Sequence, residues 1–138
     1  MQTASPRGSL VLAIGLCMTM PSSGAALGQI SGERWQVTSV EGTAVPDPAK
    51  SRFEMQDDGT FVATVGCNAM RGKAEIQESS LTIGPMASTR MACPEPLDSL
   101  EAAFQRALQQ SVTYRRDGET LTLVDASGTM KVVFLRAK

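Results

Sequence analysis

Histidine is absent from all 138 residues of this chain. Its absence removes Ser-His-Asp and Cys-His nucleophilic sites, together with every His-ligated metal centre. Neither a Gly-rich phosphate loop nor a G-x-S-x-G nucleophile turn occurs. No run of Lys and Arg is long enough to grip a phosphate backbone, so nucleic acid is not an expected partner. Aromatics are few: one Trp, one Tyr and four Phe. The carboxylates of Asp57, Asp58, Glu75, Glu78, Asp117 and Glu119 fall in turns or on polar strand positions. They read as solvated surface, because spacing alone does not make a catalytic pair. The expectation is a protein that is not an enzyme and has no cofactor and no metal.

Apolar runs are equally scarce, and the longest is instructive. Leu10–Met20 (LVLAIGLCMTM) is too short to cross a bilayer as a helix but suits the apolar centre of a secretory signal peptide. Arg7 precedes it, Pro21 ends it, and the small residues of SSGAALG follow. Residues 1–28 are therefore expected to be a signal peptide, cleaved after Gly28 or, as the alternative, after Ala26. Leu16 stands before Cys17 where a lipoprotein signal needs a small residue, so lipid anchoring at Cys17 is not expected. Loss of residues 1–28, which contain Arg7 and no acid, takes the formal charge from −1 to −2. The remainder, 29–138, is long enough for one compact domain with a modest core. It contains no second run able to span a membrane, so the expected protein is a periplasmic or secreted monomer without a stable membrane anchor.

Within 29–138 most segments read as short strands between turn signals. Trp35–Val40 is β-prone, with Trp35 and Val37 on one face. Gly42–Lys50 contains two prolines and reads as a loop. Arg52–Gln56 alternates, Asp57-Asp58-Gly59 turns, and Thr60–Val65 alternates again, which is a hairpin signature. Lys73–Gln77 and Ser80–Ile83 form a second, weaker hairpin. Val112–Arg116, Leu121–Val124 and Thr129–Leu135 close the chain, with turns at Asp117-Gly118 and Ser127-Gly128. One segment has helical period: Leu97, Leu100, Phe104 and Leu108 share a face over Leu97–Gln110. Pro96 suits its first position, and Asp98 and Glu101 lie near the positive end of its dipole. All six aromatics (Trp35, Phe53, Phe61, Phe104, Tyr114, Phe134) fall in these elements, as core residues do. The expected architecture is a single α+β domain: a curved, half-barrel-like antiparallel sheet with one packed helix.

Beyond Cys17, two cysteines remain, Cys67 and Cys93. In an oxidising compartment such a pair joins, and their wide separation favours a structural bond over a C-x-x-C redox pair. Closing a loop of this length contributes about 3–4 kcal/mol on chain-entropy grounds. Met70, Met86 and Met91 cluster around the same segments. Thioethers with a thiolate suit Cu(I), whereas the plainer reading is flexible packing.

Gly66-Cys67-Asn68, Gly72, Thr89-Arg90-Met91-Ala92-Cys93, Glu101 in the helix and the closing strands with Tyr114 and Leu121-Thr122-Leu123 occur in order. This combination closely resembles the META domain, also called the HslJ-like domain, from Trp35 to Phe134. The resemblance singles out Gly66, Asn68, Gly72, Thr89, Arg90 and Met91 as motif residues and implies a Cys67–Cys93 disulfide. It further implies a small exported protein or lipoprotein linked to stress, motility or virulence, with no established biochemical activity. Members are similar in fold to secretin pilot proteins, whose half-barrel holds an apolar groove. Two departures stand out: Lys73-Ala74 follows Gly72 where an aromatic is usual, and Cys17 is not framed as a lipoprotein cysteine.

Two functional classes follow. The first is a non-enzymatic, stress-related envelope module that binds a hydrophobic peptide, a lipid or an envelope protein, with Phe61, Leu100 and Phe104 lining either a groove or a filled core. The alternative is a thiol-redox or Cu(I)-handling protein using Cys67, Cys93 and the nearby methionines.

Overall fold

The computed structural model describes residues 29–138 and, ahead of them, only the isolated positions Gly8 and Gly15. The expected signal peptide and Cys17 lie outside the described residues.

Among the described residues ten strands and one helix follow in order: β1 (Arg34–Val40), β2 (Thr43–Ala44), β3 (Arg52–Met55), β4 (Thr60–Thr64), β5 (Met70–Gln77), β6 (Ser80–Ile83), β7 (Ala87–Ser88), α1 (Leu97–Gln110), β8 (Ser111–Asp117), β9 (Thr120–Asp125) and β10 (Met130–Arg136). A short 3₁₀ turn, Pro48–Lys50, precedes β3. The helix spans the expected residues. Pro96 stands one place earlier than expected, as the N-cap with φ −87° and ψ 3° rather than in the first turn. Glu95 stands in for the missing capping side chain: its carboxylate accepts the Ser99 backbone N–H (3.4 Å) and the Ser99 hydroxyl (2.8 Å).

The half-barrel expectation is corrected by one pairing. β1 and β10 join antiparallel from Trp35↔Arg136 to Val40↔Val132, so β1, β3–β6 and β8–β10 close into an eight-stranded barrel. Inward alternation looks the same in an open and a closed sheet; closure depends on contact between strands nearly a hundred residues apart. β2 and β7 are short additions to β1 and β5. β5 starts at Met70, three residues earlier than expected, because Met70 and Arg71 pair with β7 as well as β4.

Alternation fills the interior with Trp35, Val37, Phe53, Met55, Phe61, Ala63, Ala74, Leu121, Leu123, Val132 and Phe134, all buried. Val40 also points inward, three residues after Val37, because the register of β1 against β10 shifts between Val37 and Ser39. A β-bulge at Thr38 thus restores the phase that strict alternation loses. Phe61, Phe53, Phe134 and Phe104 form a chain of ring contacts at 5.3, 5.0 and 6.5 Å between centroids, linking the wall to the helix.

Both openings are filled. At the end where β1 begins, Ile30 is buried and its carbonyl accepts the Trp35 indole N–H at 3.0 Å. Arg116 lies over the Trp35 ring at 5.1 Å, donates to the Gln29 carbonyl (2.7 Å) and pairs with Glu33 (2.8 Å), which fixes this segment in place. At the other end α1 contacts β1 and β10 on one side and β6 on the other. Leu100, Phe104, Ala107 and Leu108 are its buried apolar residues.

Candidate functional site

The motif residues converge where the loop after β4, the loop before α1 and the helix itself meet. The Sγ atoms of Cys67 and Cys93 lie 2.18 Å apart, at disulfide distance, with their Cα atoms 5.8 Å apart. Beside them is Glu101, only 7% exposed and the sole buried charged residue among the described residues. A buried carboxylate is costly unless it is hydrogen-bonded, and this one is. Oε1 accepts the backbone N–H groups of Cys67 and Asn68, the second at 2.6 Å, and Oε2 accepts Asn68 Nδ2 at 2.7 Å. Cys93 Sγ lies 3.8 Å from Oε1.

Asn68 works in both directions. Nδ2 also donates to the Met91 carbonyl (3.2 Å), while Oδ1 accepts from the Met91 amide (2.7 Å) and the Thr89 hydroxyl (3.0 Å). Thr89 Oγ1 in turn accepts the Ala69 amide, and the Thr89 amide donates to the Ala69 carbonyl. Asn68, Thr89 and the Met91 backbone are thus a clamp between two loops, and the disulfide-distance pair lies at its edge. Spacing between G-C-N and T-x-M-x-C is what this clamp requires.

The glycines have steric reasons. A Cβ on Gly66 would lie 2.8 Å from Glu101 Oε1, and a Cβ on Gly72 would lie 2.6 Å from the Phe61 ring. Gly72 pairs with Phe61 across β4 and β5, so the ring occupies the space above the bare backbone. Met86 Cγ is also within 3.0 Å of that position.

Not every expected residue comes to one place. Arg90 and Met91 line a cleft of about 830 Å³ with Met70, Met86, Asp98, Glu101 and Gln105. The three residues expected to line either an apolar groove or a filled core all belong to the packed core, and no single cleft is lined by all of them. Phe104 is in the core, Phe61 is buried and edges a shallow cleft of about 630 Å³ over β4 and β5, and Leu100 edges another cleft. That last cleft, about 400 Å³, lies between α1 and the β1–β2 turn and includes Val40, Ala44, Pro46, Pro96 and Ala103. Arg106 and Glu41, paired at 3.1 Å, stand at its rim.

Glu101 is the residue whose role sequence reasoning missed. The signal was present: Leu97, Glu101, Phe104 and Leu108 fall at successive helical turns, which puts a carboxylate on the buried face. Cys67, Cys93 and Glu101 present ligand-type atoms within 4.8 Å of one another, but the cysteines at disulfide distance and the carboxylate on three donors are already engaged.

The model of the META domain matches residues 28–138. The chain belongs to the META domain family. Solved structures share the fold at low identity. An NMR structure of a protein from Burkholderia xenovorans has a TM-score of 0.64 at 21% identity and covers 99% of both chains. A second NMR structure has a TM-score of 0.63 at 22% identity over 79% of this chain and 92% of that one. The crystal structure of a DUF4847 family protein from Bacteroides vulgatus has a TM-score of 0.60 at 16% identity, covering 79% of this chain and 95% of that one. None of the curated proteins matches. No helix among the described residues is long and apolar enough to cross a membrane.

Proposed function

We propose that this META domain protein is a small exported, non-enzymatic binding module that takes a short apolar peptide segment of an envelope protein under stress. The observation that carries the reading is the engagement of Glu101. The one buried carboxylate of the described residues accepts three protein donors, and the cysteines beside it lie at disulfide distance. Such a motif holds the helix and loops together and commits this carboxylate and the two cysteines to structure, which supports a non-enzymatic reading. The thiol-redox alternative is disfavoured by the same contact, because a carboxylate 3.8 Å from Cys93 Sγ opposes the thiolate that exchange needs.

Of the clefts on the surface, the one between α1 and the β1–β2 turn best suits a peptide segment. Its volume of about 400 Å³ falls at the small end of ligand pockets. Val40, Ala44, Pro46 and Leu100 supply apolar lining, and the Glu41–Arg106 pair at the rim suits the polar backbone of a peptide better than an acyl chain. The leader-like residues 1–28 and the cysteine pair support export.

Crosslinking and native mass spectrometry of the protein purified from its stressed host test the reading. The expected result is a bound peptide or partner protein that Ala103→Arg, which fills the cleft, abolishes. A co-purifying lipid, or protein that is empty and uncrosslinked in every preparation, overturns it.

A further inference from the structure

We propose that Met70, Met86 and Met91 form a thioether site for a soft monovalent cation, Cu(I), in the cleft between the 86–92 loop and α1. The inference is independent of the peptide cleft on the other side of the helix. All three residues line the same opening of about 830 Å³. Each is carried by an anchored piece of backbone. Met70 opens β5 and pairs with Ser88 of β7, which fixes the strand just after Met86. Met86 reaches over Gly72, its Cγ 3.0 Å from where a Cβ on that glycine would stand. Met91 is held by Asn68 at both its N–H and its carbonyl.

Packing accounts for Met70, which is buried, and in part for Met86, which packs against the core, but not for Met91, which is 59% exposed beside the opening. Thioether sulfur is soft and polarisable, and it neither protonates near neutral pH nor joins into disulfides. With Cys67 and Cys93 at disulfide distance, methionine sulfur is the soft ligand left in an oxidising compartment. Asp98 and Glu101 line the same cleft and offset the charge of Arg90 toward a cation. Binding involves no electron transfer: the ion enters and leaves as Cu(I).

Ag(I), a redox-inert stand-in for Cu(I), is the probe. The oxidised protein carrying ¹³C-methyl methionine is titrated with silver nitrate and followed by methyl NMR. The methyl signals of Met70, Met86 and Met91 are expected to shift together and saturate at a single ion per chain. Met55, buried elsewhere, and Met130, 55% exposed, serve as internal controls and should not move. Met91→Leu, which removes an exposed sulfur and leaves the fold intact, should weaken binding by about tenfold or more. No shift, unsaturable parallel shifts of Met91 and Met130, or binding seen only after reduction (which places the ion on Cys67 and Cys93) each overturn the proposal.

Discussion

Glu101 holds Asn68 twice, through the backbone N–H to Oε1 at 2.6 Å and through Nδ2 to Oε2 at 2.7 Å. Because Asn68 also grips Met91 and Thr89, one helical side chain sets the position of two loops. A helix docked in this way cannot shift along the barrel without breaking a buried network.

The exchange Glu101→Gln tests that statement most cleanly. The amide can still present its oxygen to the backbone N–H groups of Cys67 and Asn68, but its NH₂ then faces Asn68 Nδ2, donor against donor. A loss of about 1–3 kcal/mol in urea denaturation is expected. A variant as stable as the parent would show that the network carries no weight.

Cys67→Ser and Cys93→Ser should each remove the same crosslink. Each is expected to cost about 3–4 kcal/mol, and the double variant should be no worse than either single. Intact-mass measurement of unreduced protein after alkylation reports the pair directly; two free thiols in protein purified from its host would refute it.

Gly59 and Gly128 both have φ in the left-handed region, +88° and +85°. A Cβ on Gly59 would also stand 2.2 Å from the Ala74 carbonyl oxygen, whereas nothing lies within 4 Å of one on Gly128. Gly128→Ala should therefore cost about 1 kcal/mol from backbone conformation alone. Gly59→Ala should cost distinctly more, because β4 and β5 must separate. Equal melting temperatures for the two variants would contradict this.

Ile30→Ala should open the end of the barrel that the segment before β1 fills. A loss of about 2–4 kcal/mol is expected for a buried isoleucine. Trp35, the only tryptophan, gives the readout: its emission should shift to the red in the folded variant as water reaches the ring. An unchanged spectrum would place the ring's protection elsewhere.

Acid should destabilise the fold through three surface carboxylates. The Thr129 amide, with smaller help from Ser127 and Lys131, holds Asp125 below the ordinary carboxylate range. The Thr60 hydroxyl and amide do the same for Asp58, and Arg106 for Glu41. Each folded pKa lies below its unfolded value, so the contribution is present above the unfolded pKa and disappears as pH falls through the folded one. Melting temperature should drop as pH falls below the ordinary carboxylate range, and Asp125→Asn should flatten that limb. An acid limb unchanged in Asp125→Asn would assign the effect to other groups.

Local signals made much of this architecture legible. The period-3.6 face of Leu97–Gln110 and the Asp-Gly turn between β3 and β4 are properties of a few neighbouring residues, and both appear where the sequence places them. What was not legible is non-local. Closure of the sheet depends on Trp35 meeting Arg136, and no window of sequence contains both. Whether Phe61, Leu100 and Phe104 line a groove or fill a core was open for the same reason: each is apolar and inward, and only the tertiary packing puts all three into one core cluster. Glu101 lies between these cases. Its position on the apolar face could be counted from sequence, but its partners come from a loop more than thirty residues earlier.

The pairing of the first long strand with the last has a consequence for biogenesis. Every hairpin from β3 onward can assemble as it emerges, yet β1 finds its second neighbour only when β10 exists. Until then the phenylalanine chain through Phe134 is incomplete, and the apolar faces of β1 and β9 have no strand between them. A nascent chain of this kind cannot close its barrel until the last strand has been made, however many hairpins have formed before it.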